Sequence, residues 1–269
     1  MPGRRNYNLI FGAVITALMV TLIVAGFFWT PYPPRAMSSS ERLEPPSAAH
    51  ILGTDNFGRD IFSRVIEGAG VTLLIAALTV AIGAVGGVLI GGITGYCGGA
   101  PDEALTRVTD IIAAFPSILL ALVLISVMGP GKYNVVISLG ILFIPSFARI
   151  ARSEFARNRS LNYVLSARLM GVSHARIVFV HILPNTSRTM LGGLAIGFNN
   201  AVLAEASMSF LGIGVQPPDA SLGRLLAESQ SYLASAPWYA LSAGISVILL
   251  ILGFGLLSEG IGGRRDAGY

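Results

Sequence analysis

The residue that could do chemistry inside the apolar part of this chain is Glu205, which lies in a largely uncharged stretch at about 189–211. A carboxylate at such a position costs about 2.5–3.5 kcal/mol on membrane-insertion scales, so it needs a cavity or a hydrogen-bonding partner. Asn199 or Asn200, about one turn earlier, could supply a structural hydrogen bond. A position on a ligand pathway would instead set the carboxylate against an amine or a metal complex. Both interpretations remain open at this point.

The other polar residues do not form a metal site or a catalytic pair. His50, His174 and His181 are dispersed, and the last two are more consistent with loop contacts than with metal ligation. An intramembrane hydrolase would need a nucleophile and a base within the apolar stretches, but no histidine lies there and Glu205 has no carboxylate partner. Cys97 is the single cysteine, which excludes an internal disulfide and a cysteine-rich metal or redox motif.

A basic segment from Arg149 to Arg188 interrupts the apolar sequence and is the strongest candidate for a contact surface. It contains seven arginines, one glutamate and two histidines. A partner protein could bind it through a groove that accepts short helices. Alternatively, anionic lipid headgroups could attract it, with about 1 kcal/mol per basic residue near the surface. The pattern of residues by itself leaves both interpretations open.

The same segment predicts two short helices joined at a glycine. Ser160 could cap the first helix, and Gly171 could end it in the left-handed conformation that helix ends favour. Ser173 could cap the second helix, which Pro184 would terminate. An apolar ridge at i, i+4 and i+8 follows the first helix and consists of Leu161, Leu165 and Leu169. We therefore expect a compact knob with an apolar ridge and a basic rim.

The elements that must position these residues are membrane helices. Of 269 residues, 53% are hydrophobic and 12% are charged, compared with about 25% charged residues in soluble domains. This composition excludes a large soluble core. About 20 helical residues cross the apolar layer of a bilayer, and six stretches reach roughly that length: about 9–29, 70–95, 109–128, 133–151, 189–211 and 237–257.

The distribution of basic residues predicts that both termini face the cytoplasm. The net charge of +4 could suggest nucleic-acid binding, but the basic residues concentrate in particular loops. With the N-terminus inside, twelve lysines and arginines fall in inner segments and six in outer segments, as the positive-inside rule requires. The first apolar run is longer than a signal-peptide core and lacks a small-residue cleavage site, so we expect it to be retained.

Glycines and prolines predict how the apolar helices pack and bend. The second stretch carries four glycines at an interval of four, namely Gly83, Gly87, Gly91 and Gly95. Such a stripe allows another helix, from this chain or another, to approach backbone to backbone. Pro116 and Pro145 lie inside the third and fourth stretches, where we expect bends.

The segment before the second stretch is polar but carries spaced apolar residues. Thr54 or Asp55 could cap a helix there, with Phe57, Ile61 and Val65 on one face. We therefore expect a short amphipathic helix at the outer membrane interface.

The basic segment resembles the cytoplasmic coupling loop of permease subunits of bacterial ATP-binding-cassette importers. The signature of that loop is Glu-Ala-Ala, three residues, Gly, nine residues, Ile, one residue and Leu-Pro. The positions in register are Ala167, Gly171, Leu183 and Pro184. The departures are Leu165 for glutamate, Ser166 for alanine and His181 for isoleucine.

Three further stretches resemble the dipeptide, oligopeptide and nickel branch of these permeases: Gly53–Arg64, Ala204–Pro218 and Ser235–Trp238. The resemblance covers roughly residues 30 to 260. It implies an all-α integral membrane protein with six transmembrane helices in the type I importer permease fold. It also implies a complex with a second homologous permease, two ATP-binding subunits and an extracytoplasmic substrate-binding protein in the bacterial cytoplasmic membrane.

The resemblance also implies roles for individual residues. Contacts with the ATPase would come from Leu165, Ser166, Ala167, Arg168, Gly171, His181, Leu183 and Pro184. Glu205 would serve the translocation pathway or its gating, and because the family shows this glutamate with different cargo we favour structure or gating. ATP and magnesium would bind to the partner subunits, since this chain contains no Gly-x-x-x-x-Gly-Lys-Ser/Thr.

The expected organisation has three parts. Residues 1–69 would form a transmembrane helix and an extracytoplasmic interfacial segment. Residues 70–260 would form the permease domain, with the coupling loop at about 152–188, and residues 261–269 a cytoplasmic tail. We expect di- or oligopeptides as cargo, with nickel or a metallophore–metal complex as the alternative. A channel is a remote alternative, because it would have no use for the coupling loop.

Overall fold

A computed structural model describes residues 7–263, with side chains up to residue 260, and this part of the chain is built from helices. Thr54 and Asp60 form an isolated β-bridge. The helices are α1 Tyr7–Phe28, α2 Ile61–Cys97, α3 Gly99–Ala114, α4 Ser117–Met128, α5 Lys132–Arg159, α6 Asn162–Leu169, α7 His174–Arg176, α8 Leu183–Phe210, α9 Leu222–Ser229 and α10 Pro237–Gly263. A π-helical segment, Ile177–Ile182, joins α7 to α8, and a 3-10 turn, Gln230–Tyr232, follows α9. The all-α fold predicted from the sequence is confirmed.

Most of the predicted membrane spans correspond to long apolar helices. Four helices are long and apolar enough to cross a membrane, namely α1, α2, α5 and α10. The pair of α3 and α4 adds a fifth span if the two helices are counted together. The predicted stretch 189–211 overlaps α8, whose 28 residues are enough to cross, although the most apolar part of α8 is less hydrophobic than that of the other four helices.

The predicted third span is not one continuous helix. The structure has α3 and α4 in its place, bent by 92° at the break between them. Phe115 is extended, with φ −83° and ψ 141°, because a residue that precedes a proline is driven out of the helical region. Pro116 therefore ends α3 outright, whereas Pro145 lies inside the unbroken helix α5.

The short amphipathic helix expected before the second span was a wrong prediction. Residues 53–60 instead form a turn, with Gly53 and Gly58 at φ +75° and +72°, which a right-handed helix does not accommodate. Asp60 caps α2, since its carboxylate accepts hydrogen bonds from the backbone N–H and the hydroxyl of Ser63 at 2.8 and 2.7 Å. The second span therefore begins at Ile61 rather than near residue 70.

The described residues fall into two compact units. The first unit contains the chain up to Ala77, residues Ile125–Val135 and the chain from Phe198 onward. In this unit α1 packs along α10, and a Cβ added to Gly12 would lie 2.7 Å from the backbone carbonyl carbon of Leu256. Its buried core joins side chains from α1, α2, α9 and α10, including Ile23, Ile61, Leu225 and Tyr239.

The second unit, Leu78–Leu124 with Val136–Gly197, contains the glycine stripe. A Cβ added to any of the four glycines would fall within 2.9 Å of an atom of α5, the contacted residues being Phe143, Phe147, Ala148, Ala151, Arg152 and Phe155. The partner helix of the stripe therefore lies in this chain. Such close backbone contact aligns α2 with α5 over the length of the stripe.

We expect replacement of Gly91 with alanine to lower the free energy of unfolding by about 1–3 kcal/mol. The added Cβ would meet the carbonyl oxygen of Ala148 and lie 2.7 Å from the Cβ of Ala151. The neighbouring Gly92 is the matched control, since its Cβ would lie 3.4 Å from the ring of Phe155, an ordinary contact. Thermal unfolding of both variants in one detergent measures the difference, and equal midpoints would contradict the close packing.

Candidate functional site

The basic segment folds into two short helices joined by a turn at Gly171. We call residues 162–182, which comprise α6, α7 and the π-helical segment, the docking knob. Gly171 has φ +74°. Its N–H donates to the carbonyl of Arg168, and the N–H of Val172 donates to the carbonyl of Ala167, both at 3.0 Å. This pair of bonds is the Schellman motif, which fixes the angle between the two helices.

The docking knob buries one set of apolar residues and exposes another. Its small core consists of Val164, Ala167, Ile177 and Ile182, which pack against Phe155 of α5. The ridge anticipated from the sequence lies on the opposite side of α6, where the exposed fractions are 44% for Leu161, 44% for Leu165 and 89% for Leu169. Exposed leucines of this size next to arginines are typical of a surface that binds another protein.

The residues named for ATPase contact are unequally accessible. Those exposed to solvent are Leu165, Ser166, Arg168, Gly171 and Pro184. His181 and Leu183 are half-buried, and Ala167 is buried in the core of the knob. The position occupied by glutamate in the coupling signature, Leu165, thus presents an apolar side chain at the surface.

Two details of the knob differ from expectation. The hydroxyl of Ser160 donates to the carbonyl of Arg157 at 2.9 Å, and Leu161 rather than Ser160 occupies the N-cap of α6. Pro184 does not terminate a helix, because α8 begins at Leu183 and continues through it. The proline directly follows the π-helical segment Ile177–Ile182, where the ordinary i→i−4 hydrogen bonds of an α-helix are already interrupted.

Ion pairs hold two of the arginines around the knob in fixed positions. Arg152 donates from both Nε and Nη2 to the carboxylate of Asp102, at 2.6 and 2.9 Å, which attaches α5 to α3. Arg157 pairs with Glu154 at 2.7 Å within α5. The predicted basic rim is therefore partly neutralised by acidic neighbours.

Glu205 is fully buried and accepts hydrogen bonds from two hydroxyl groups. Thr72 donates to its Oε2 at 2.8 Å and Ser209 donates to its Oε1 at 2.7 Å. Each hydroxyl also accepts a backbone N–H from the segment after α8, Leu222 to Thr72 at 3.2 Å and Val215 to Ser209 at 3.0 Å. The carboxyl group thus links α2, α8 and this segment, and its partners are not the asparagines considered above.

We expect Glu205→Leu to destabilise the protein by about 1–3 kcal/mol, because it leaves the buried hydroxyls of Thr72 and Ser209 without their acceptor. Glu205→Gln retains one acceptor oxygen and should cost less. Thermal unfolding measures both effects. If instead Glu205→Leu unfolded like the wild type while uptake changed, a pathway role would replace the structural one.

A buried group of charges, which we did not predict, lies at the start of α2. We call Asp55, Arg59, Arg64 and Glu228 the charge cluster. Oδ2 of Asp55 accepts from Arg59 Nε and Arg64 Nη1, both at 2.6 Å, and Oε2 of Glu228 accepts from the same two arginines at 3.2 and 2.9 Å. The hydroxyl of Tyr239 also donates to Glu228 at 3.0 Å. The cluster therefore joins the segment before α2 to α9 and α10.

The electrostatics of the cluster favour the charged form of Glu228. Burial by itself would raise the pKa of Glu228, but the positive charges of Arg64 and Arg59 outweigh it and hold the pKa below its ordinary value. A carboxyl group whose pKa is lowered by folding stabilises the folded protein at pH values above the unfolded-state pKa. This stabilisation is lost as the pH falls through the folded-state pKa. We therefore expect the cluster to persist at neutral pH.

The chain matches the family described as the binding-protein-dependent transport system inner membrane component, over residues 87–265. This chain belongs to that family. The matched range contains the glycine stripe from Gly87 onward, the docking knob, Glu205 and Glu228. A transport component of this family is a multi-pass membrane protein, in agreement with the long apolar helices described above.

Several relatives of this transport component match it over most of their length. It is 36% identical to the dipeptide transport system permease protein DppC of Alkalihalophilus pseudofirmus, over 98% of this chain and 86% of that protein. It is 38% identical to the glutathione transport system permease protein GsiD of Pectobacterium atrosepticum, over 95% and 85%. The chain is thus similar to permease subunits of peptide transport systems.

The fold of the transport component resembles a solved importer structure. An inward-facing structure of the MetNI methionine ABC transporter superposes with a TM-score of 0.60, covering 74% of this chain and 95% of the other chain. The sequence identity is 17%, so this likeness concerns the fold alone. It supports the type I importer permease fold predicted from the sequence.

Among the described residues, no group of three or more histidine, cysteine, aspartate and glutamate side chains is arranged to hold a metal ion.

Proposed function

We propose that this chain forms half of the translocation pathway of an ATP-driven peptide importer and couples to separate ATPase subunits through its docking knob. The observation that carries the proposal is the exposed leucine ridge of α6, on a knob whose shape is fixed by its own core and by the turn at Gly171. Family membership supports the transport role. ATP and magnesium would be bound by the ATPase subunits.

The chemistry of docking is proposed to be mainly apolar. Leu165 stands where the coupling signature has glutamate, so a charged anchor is missing at that position. Leu169, Leu161 and Met170, exposed by 89%, 44% and 75%, offer apolar surface next to it. Burying a leucine at an interface contributes about 1.5–3 kcal/mol, so the ridge can contribute to binding without a charged anchor.

The proposed assembly contains a second homologous permease, two ATP-binding subunits and an extracytoplasmic substrate-binding protein. The family description, which refers to binding-protein-dependent transport, supports the last of these. We place both termini in the cytoplasm of a bacterial cell; Arg4, Arg5, Arg264 and Arg265, which contribute to that orientation, lie outside the described residues. Residues 1–69, 70–260 and 261–269 would be the N-terminal segment, the permease domain and the cytoplasmic tail, with the coupling loop at about 152–188.

Peptides are the proposed cargo. The two permeases compared above are named for the transport of dipeptides and of glutathione, which is itself a peptide. This favours di- or oligopeptides over nickel or a metallophore–metal complex. The hydrogen bonds of Glu205 favour a role in structure or gating over recognition of the peptide.

Uptake of radiolabelled trialanine into vesicles that contain the assembled importer and its binding protein tests this function. We expect uptake only when the ATPase subunits and ATP are both present. Uptake that persists without ATP would contradict a pump. ATP-driven uptake of nickel but not of trialanine would contradict the proposed cargo.

A further inference from the structure

Tyr96, near the C-terminal end of α2, contacts the docking knob on both sides of Gly171. Its hydroxyl is 2.7 Å from Nδ1 of His174 in α7, within hydrogen-bonding distance. The guanidinium carbon of Arg168 in α6 lies over the tyrosine ring, 5.0 Å from its centroid, a cation–π arrangement. The two short helices of the knob therefore meet at the same side chain.

The end of α5 also reaches this point. Nη1 of Arg159 donates to the backbone carbonyl of Tyr96 at 3.4 Å, and a Cβ added to Gly98 would lie 2.6 Å from the same nitrogen. Gly98 and Gly99, which follow α2, have φ +67° and +63°, values that favour glycine. The turn after α2 is thus fitted closely around the arginine.

The knob is expected to move as one body, because its core and its Schellman turn fix α6 against the helix that follows. The polypeptide chain itself joins the knob to α5 and α8. In contrast, α2 is not next to the knob in the chain and follows it through non-covalent contacts alone: its glycine stripe packs on α5, and Tyr96 contacts the knob itself. Tyr96 is the residue of α2 that makes both the hydrogen bond and the cation–π contact.

We propose that Tyr96 is the positioning residue through which a displacement of the docking knob is transmitted to α2. This inference rests on the proposed function, since the knob is displaced only if an ATPase subunit binds to it. Tyr96 acts through His174 and Arg168 and touches neither nucleotide nor cargo. Its loss should therefore uncouple ATP hydrolysis from uptake without releasing the ATPase.

Tyr96→Phe removes the hydrogen bond and retains the ring over which Arg168 lies. In the assembled importer we expect this variant to lower the number of trialanine molecules transported per ATP hydrolysed by about fivefold. This is the factor by which the loss of one hydrogen bond typically changes an equilibrium constant. Tyr96→Leu also removes the ring and should lower the ratio further. The amount of ATPase that co-purifies with the permease should stay at the wild-type level for both variants.

Tyr163→Phe is the matched control, because its hydroxyl donates to Asn158 at 2.8 Å without reaching α2. It should leave the ratio of transport to hydrolysis unchanged. Equal ratios for Tyr96→Phe and Tyr163→Phe would overturn the proposal. It would also be overturned if the co-purifying ATPase fell in proportion to uptake, since Tyr96 would then only maintain the docking surface.

The native cysteine provides a second, spectroscopic measurement. Cys97 is exposed and lies next to Tyr96, so a nitroxide attached to it reports on the end of α2 when the other subunits are free of cysteine. We expect ATP to change its spectrum in the wild type and not in Tyr96→Phe. If replacement of Leu165 and Leu169 changes neither the amount of bound ATPase nor the spectrum, the proposed docking through the knob is wrong, and not only the proposed role of Tyr96.

Discussion

Replacement of both Leu165 and Leu169 with aspartate is expected to lower ATP-driven uptake by at least about tenfold while membrane insertion stays normal. Each leucine buried in an interface contributes about 1.5–3 kcal/mol, and a tenfold change in affinity needs about 1.4 kcal/mol. The knob itself should stay folded, because both side chains lie outside its core. Uptake of radiolabelled trialanine per milligram of inserted protein measures the effect.

The control for this experiment is the double replacement of the same leucines with methionine. Methionine keeps the apolar surface and adapts to irregular contacts, so uptake should remain close to the wild type. Equal uptake by the aspartate and methionine variants would mean that the leucine ridge does not form the contact with the ATPase. In that case the arginines of the rim would be the next candidates.

Replacement of Arg64 with methionine is expected to lower the free energy of unfolding by about 3–5 kcal/mol, because it leaves buried carboxylates with too few partners. The side chain of Arg64 is 3% exposed, and it pairs with Asp55 and Glu228 at 2.6 and 2.9 Å. Thermal unfolding in detergent should show a large fall in the midpoint. Uptake should fall with it, since the cluster connects three segments of the first unit.

Arg35→Met provides the comparison. Arg35 also pairs with two carboxylates, Asp219 at 2.9 Å and Glu67 at 3.4 Å, but its side chain is 55% exposed. Exposed ion pairs contribute about 0–1 kcal/mol, so this variant should unfold close to the wild-type midpoint. A similar fall in the unfolding midpoint of the two variants would indicate that burial of the charge cluster does not increase its contribution to stability.

The helices and most membrane spans could be predicted because they depend on neighbouring residues: the length of an apolar stretch and the spacing of the glycines and prolines in it. Pro116 is a case in which the sequence indicated a bend and the structure has a break, since the extended Phe115 leaves no helical turn to continue. The error before α2 has a similar origin. Capping residues and an apolar face suggested a helix there, but the left-handed Gly53 and Gly58 require a turn.

The parts of the site that escaped prediction depend on contacts between residues far apart in the chain. The leucine ridge repeats every four residues from Leu161 to Leu169, so periodicity was sufficient to find it. Glu228 meets Arg64 across 164 residues and Tyr96 meets His174 across 78, and no local pattern encodes such pairs. The available signal for the charge cluster was the presence of Asp55, Arg59 and Arg64 directly before and at the start of a long apolar stretch, where charged side chains need partners.

The most direct test of coupling through the docking knob is site-specific cross-linking in the assembled importer. A photoreactive amino acid at position 169 should cross-link to the ATP-binding subunit. The same group at position 211, where another exposed leucine follows α8, should not. Cross-linking of the ATPase from position 211 and not from 169, in complexes that remain active in uptake, would contradict the account.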